Sequence, residues 1–211
     1  MNLTWEVFAC AFAALLTTPA WGLLVRHTTY SLSTTRTVRA LALLLPTTTG
    51  VIGWRFVDDP ALAAWWWAAL HTIPVAMVDV YEHRLPHWWL VSFAGGGLCL
   101  FATIATLDHD PKRLAHAMFA ALGMWVAIRI LEWSCSGRMG GGDTRLHAII
   151  ALYTGWMSWR TVLIGFVAGS VLLGSTAGLA CLWQRRFWSS RIAAGPSLLA
   201  GAWLALVCTG H

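Results

Sequence analysis

Polar residues are sparse in this chain and divide it into apolar runs of similar length. Eight runs occur, at roughly 4–25, 38–56, 61–78, 88–107, 114–132, 145–159, 161–183 and 192–210. About 20 apolar residues in an α-helix cross the hydrocarbon core of a bilayer. In lipid every backbone amide must be bonded internally, which favours helices. The pattern therefore predicts an all-α fold, a polytopic membrane helix bundle of about eight transmembrane helices. The run at 145–159 is the shortest. The run at 38–56 contains Pro46, Gly50 and the threonines Thr47, Thr48 and Thr49, a break that neighbouring helices can satisfy. No soluble segment, linker or repeat separates the runs, so residues 1–211 are expected to form a single integral-membrane domain. Met1 to Glu6 carries no basic residue, and the first run is expected to be a retained span rather than a cleaved leader.

Composition agrees. Hydrophobic residues make up 58% of the chain and charged residues 11%, against about 25% charged in ordinary globular domains. Indole rings favour the membrane–water interface. Trp65, Trp66, Trp67, Trp88, Trp89, Trp156 and Trp159 all lie near run ends and are expected to act as interfacial anchors. The five cysteines form no Cys-x-x-Cys pair, so neither a zinc site nor a disulfide framework is signalled. They read as small apolar residues within spans. Gly95, Gly96, Gly97, Gly165, Gly169 and Gly174 are expected to let helices approach closely.

Charge sets the orientation. With the N-terminus outside, Arg26, Arg36, Arg39, Arg84, Arg129, Arg138, Arg145, Arg185, Arg186 and Arg191 fall on the inner side. Arg55, Lys112, Arg113 and Arg160 fall outside, together with Asp58, Asp59, Asp108 and Asp110. Ten basic residues against four is a positive-inside bias. The net charge of +5 thus encodes topology rather than nucleic-acid binding, and the expected surroundings are membrane lipids.

Against this background two acids stand out. Asp79 lies in the segment Met77 to Pro86, and Asp143 in Gly140 to Leu146. An ionisable group at the edge of a membrane span is costly and marks a functional site by default. The orientation drawn from Arg and Lys places both carboxyls on the inner side at similar depth. Two carboxyls in contact cannot both ionise comfortably, so they share a proton and titrate as a unit. One can then activate a water while the other hydrogen-bonds a scissile carbonyl, the chemistry of an aspartic protease. Gly140, Gly141 and Gly142 allow close backbone approach before Asp143. Pro86 is expected to stop a helix after Asp79, with Leu85 pushed toward extended geometry.

Two other readings of these residues stay open. Each acid can instead be structural, with Asp79 paired to Arg84 and Asp143 paired to Arg145 or capping a helix. Alternatively, Asp79, His83 and His87 are spaced by four, as are Asp143 and His147. That spacing puts side chains on one helix face and would suit a metal-dependent membrane hydrolase or a transporter. Pro86 interrupts it.

At the two aspartates the chain resembles a known family. Asp79 followed by Leu85-Pro86 looks like the first aspartate motif of the type IV prepilin peptidases, the leader peptidases of the A24 aspartic peptidase family. Gly140-Gly141-Gly142-Asp143 is similar to the Gly-x-Gly-Asp motif of these membrane proteases. Arg145-Leu146 resembles their usual Lys-Leu, and Gly195-Pro196 the start of their last span. The resemblance implies a membrane-embedded aspartic endopeptidase with Asp79 and Asp143 as catalytic pair. Leu85, Pro86, Gly140, Gly142 and Arg145 would be supporting motif residues, with no metal.

The implied substrate is a type IV prepilin-like protein with a basic leader ahead of a hydrophobic helix, which Glu82 and Glu132 would help to position. Cleavage would fall at the cytoplasmic face of the bacterial cytoplasmic membrane. Some features depart from the family pattern. His87 stands where the family carries Asp or Asn. The cysteine-rich zinc domain of larger members, which also methylate the new N-terminus, is replaced by the loop Arg26 to Arg39. No S-adenosylmethionine site is recognisable, so that cofactor is expected only with a methyltransferase activity.

Overall fold

The computed structural model describes residues 47–83, 85–134, 141–184 and 193–209. The expected first span, the Arg26 to Arg39 loop, Arg84 and Gly140 lie outside the described residues. Seven helices and no strand are found among those described: α1 (47–55), α2 (Leu62–Glu82), α3 (His87–Leu107), α4 (Pro111–Ser134), α5 (Gly141–Met157), α6 (Trp159–Gln184) and α7 (Gly195–Thr209). Helices α3, α4 and α6 are each long and apolar enough to cross a membrane, and α7 is a shorter apolar helix. The chain is an all-helical membrane bundle.

Helix ends depart from the apolar runs in two places that matter. The run at 61–78 continues as α2 to Glu82, so Asp79 lies within the last turn rather than beyond it. The run at 145–159 begins four residues early, at Gly141, which puts Asp143 in the first turn of α5. The expectation that Pro86 ends the first of these helices is also corrected. His83 ends it, with φ 49° and its amide bonded to the Asp79 carbonyl at 3.0 Å. Pro86, with φ −61° and ψ 128°, is the N-cap of α3. Its carbonyl accepts the Trp89 amide at 3.1 Å, and its fixed φ starts a helix more readily than it ends one here.

At the far end of the bundle the turns are equally explicit. The Asp110 amide reaches back to the Ala105 carbonyl at 3.1 Å across His109, which has φ 53°. This is a Schellman closure with a non-glycine residue in the left-handed position. Pro111 then opens α4. The Ser158 hydroxyl accepts the Thr161 amide at 3.2 Å and so caps α6.

The core lies between α2, α3 and α5. Trp65, Phe101, Tyr153 and Trp156 form a continuous ring cluster, and the Tyr153 hydroxyl donates to the Phe93 carbonyl at 3.0 Å. Trp65 and Trp89 are fully buried and Trp156 nearly so. These three indoles are core residues, not interfacial anchors, because packing inside the bundle buries more area than a headgroup contact. Trp88 and Trp159 are exposed.

Three of the six glycines, Gly96, Gly97 and Gly169, do permit close approach. A Cβ on Gly96 would overlap Trp67, and one on Gly97 would overlap the Tyr153 hydroxyl. Gly165 and Gly169 face α7, where Gly169 meets Gly201 backbone to backbone. Gly95 and Gly174 have open space instead. Cys99 and Cys208 are exposed on the bundle surface. The tight seam between α6 and α7 is what fixes the position of the α7 N-terminus.

Candidate active site

Three helix ends converge at one end of the bundle: the last turn of α2, the first turn of α5 and the start of α7. Asp79 is buried and Asp143 half-buried. The Asp79 Oδ2 accepts the Gly195 amide at 2.7 Å, a contact between residues 116 positions apart. Leu85 packs on Gly142, where an added Cβ would lie 3.2 Å from the Leu85 Cβ. The Leu-Pro loop after the first aspartate therefore touches the glycine just before the second.

Both acids lie just beyond the apolar runs 61–78 and 145–159. Burial and, after it, the Asp79 charge together raise the Asp143 carboxyl to about 6. Asp79 is also raised by burial, but the Gly195 amide and the charge of His83 work against that shift. The two carboxyls are near enough for one to act on the protonation of the other, and their surroundings treat them unequally.

The histidines beside the acids have partners of their own. His83 Nδ1 lies 3.0 Å from the Asp79 carbonyl, and His147 Nδ1 lies 2.8 Å from the Asp143 carbonyl. Since a carbonyl only accepts, Nδ1 must carry the proton in each ring. His87 is exposed at the start of α3. Among the described residues no three His, Cys, Asp or Glu side chains are grouped to hold a metal ion. The i, i+4 spacing is real, but each ring is turned onto its own helix backbone.

The remaining motif residues divide clearly. Arg145 is exposed and makes no salt bridge with Asp143. Asp143 does not cap α5 either, since it sits inside the first turn. Glu132 bonds Arg129 Nη1 at 2.8 Å and accepts the Thr144 hydroxyl at 3.3 Å, so it ties the end of α4 to the residue after Asp143. Glu82 is half-buried and has no hydrogen bond or ion pair among the described residues. Sequence reasoning missed the Gly195 amide as part of the site. Its only signal was the Gly-Pro pair opening the last apolar run, and a backbone donor leaves no side-chain pattern.

The sequence model of the type IV leader peptidase family matches residues 62–181, from α2 through most of α6. Both aspartates and the Leu85–Gly142 contact fall within it, whereas Gly195 falls outside. No curated protein and no solved structure matches the chain.

Proposed function

Because the chain belongs to the type IV leader peptidase family, we propose that it is an aspartic endopeptidase with Asp79 and Asp143 as its catalytic pair. The substrate is a type IV prepilin-like protein, cut between its basic leader and its hydrophobic helix. The observation that carries this reading is the meeting of the two aspartate segments at one end of the bundle, where Leu85 packs on Gly142 and the Asp79 charge acts on Asp143. A dyad holding one proton has both tools for amide hydrolysis: a carboxylate to take a proton from water, and a carboxylic acid to hydrogen-bond the scissile carbonyl.

The bundle is a multi-pass protein of the bacterial cytoplasmic membrane, with residues 1–211 one peptidase domain. The bias of ten basic residues against four supports an outside N-terminus and a dyad on the cytoplasmic side. A basic leader stays on that side for the same reason, while the adjoining apolar helix enters the lipid. The bond between them then lies at the depth of Asp79 and Asp143. Glu82 is the better placed acid to meet a cationic leader, since Glu132 is already engaged by Arg129 and Thr144. Neither a metal nor another cofactor takes part in this scheme; S-adenosylmethionine enters only with a methyltransferase activity.

The test is digestion of a purified prepilin by the purified protein, with mass analysis of both fragments. The expected products are the leader and a mature chain beginning next to the hydrophobic segment. Intact substrate under conditions where the enzyme stays folded would overturn the proposal, as would solute flux without proteolysis.

A further inference from the structure

The pair is asymmetric, and the asymmetry comes from α7. Gly195 is the first residue of that helix, and its amide is one of the N-terminal donors that no intrahelical carbonyl can satisfy. It is spent on Asp79 Oδ2, at 2.7 Å in a buried contact. The next residue is Pro196, which has no N–H, and the Ser197 hydroxyl lies 3.5 Å from that of Thr176. Glycine at position 195 leaves room for this bond, because a Cβ there would sit 2.8 Å from Asp79 Oδ2 and 3.2 Å from its Cβ and would displace the carboxyl. By contrast, no hydrogen bond to the Asp143 carboxyl is found among the described residues.

We propose that the Gly195 amide is a positioning group that keeps Asp79 the ionised member of the pair, leaving the shared proton on Asp143. This rests on the peptidase reading. An N–H donor stabilises a carboxylate over its acid, and the partial positive charge of a helix N-terminus adds in the same direction. The other titratable groups bearing on Asp79 are Asp143 of α5 and His83 at the end of α2; α7 contributes only its backbone.

The roles follow. Asp79 takes a proton from water as the water oxygen bonds the scissile carbon, and the carbonyl oxygen takes the proton held by Asp143. When the intermediate collapses, the C–N bond breaks and the leaving nitrogen takes the proton from Asp79. Asp143 recovers its own from the hydroxyl that becomes the new carbonyl oxygen. One water is consumed, and both acids return to their starting states.

Two measurements on the purified full chain test this. The first is an infrared titration of the carboxyl band in Asp143→Asn and in Asp79→Asn, each as a difference against the double Asn variant. Asp79 is expected to protonate at lower pH than Asp143, and the opposite order overturns the proposal. The second adds Gly195→Ala, which pushes Oδ2 off the amide. In the Asp143→Asn background it should raise the Asp79 midpoint by about one pH unit, the scale of a hydrogen bond to a charged group.

In the otherwise native chain, Gly195→Ala should move the acid limb of the cleavage profile up by the same amount. Pro196→Ala, which keeps the Gly195 amide, should leave that limb in place. Uniform loss of rate with an unmoved limb would show that Gly195 serves packing alone, and would overturn the proposal. If Gly195→Ala does not fold, the order of the two midpoints decides. That order is readable even if no prepilin is cleaved, so failure of the peptidase reading and failure of this one are distinguishable.

Discussion

Leu85 rests on Gly142, and a Cβ on that glycine would come within 3.2 Å of the leucine Cβ. The contact joins the loop that follows Asp79 to the residue that precedes Asp143. It sets how closely the last turn of α2 and the first turn of α5 approach.

Gly142→Ala should therefore act on the spacing of the dyad. A displacement of a few tenths of an ångström in a positioned pair is felt in rate before it is felt in folding. Cleavage kcat/KM is expected to fall about tenfold, with Leu85→Ala in the same chain recovering part of the loss. A double-mutant cycle reads the coupling. Strictly additive losses would show that the contact does not transmit to the acids.

The pH profile follows from Asp143. Its carboxyl is raised to about 6, first by burial and then by the Asp79 charge. The active form needs one proton on the pair, so raising the pH through that value removes the acid and the rate falls. Lowering the pH eventually protonates Asp79 and removes the base. A bell-shaped kcat/KM is expected, with its alkaline limb near 6, in assays across pH 4–9 at fixed ionic strength.

Stability should carry the same signature with the sign that linkage dictates. A folded-state value raised above 3.8 means that the folded chain holds its proton more tightly than the unfolded one. No penalty exists below that lower value, and the full penalty is present above about 6. Asp143→Asn, which mimics the protonated acid, should melt several degrees higher than the parent at pH 8 and at the same temperature at pH 4. Thermal denaturation in detergent at the two pH values checks this.

Chelation separates the dyad from the metal reading. The Nδ1 atoms of His83 and His147 are turned onto the carbonyls of Asp79 and Asp143, which leaves Nε2 as the ring atom through which either could meet an ion. EDTA is expected to leave the cleavage rate unchanged. Loss of activity that zinc restores would favour the metal-dependent alternative.

The helical bundle was legible because lipid reduces the fold problem to run length and spacing, and four of the described helices match their apolar runs to within about three residues. The two that matter most, α2 and α5, extend four residues into polar sequence at Glu82 and Gly141. Hydropathy does not see these turns: α2 is closed by the left-handed turn at His83, and α5 opens on Gly141 and Gly142, which have no side chains to enter an apolar pattern. Trp65 and Trp89 were misread because position along a run says nothing about which face of a helix a ring occupies. That Asp79 and Asp143 fall at the same end could be read by counting crossings, with charge bias needed only to say which side that end faces. The Gly195 donor could not, for it exists only once α7 has packed on α6.

The central claim is that two carboxyls act as one catalytic unit, and parallel digestions of a purified prepilin by the parent, Asp79→Asn and Asp143→Asn proteins test it most directly. Each substitution removes one half of the acid–base pair, so each variant should fold and insert as the parent does while its cleavage rate falls by about 10²–10⁴-fold. Retention of near-parental cleavage by either variant would contradict the account.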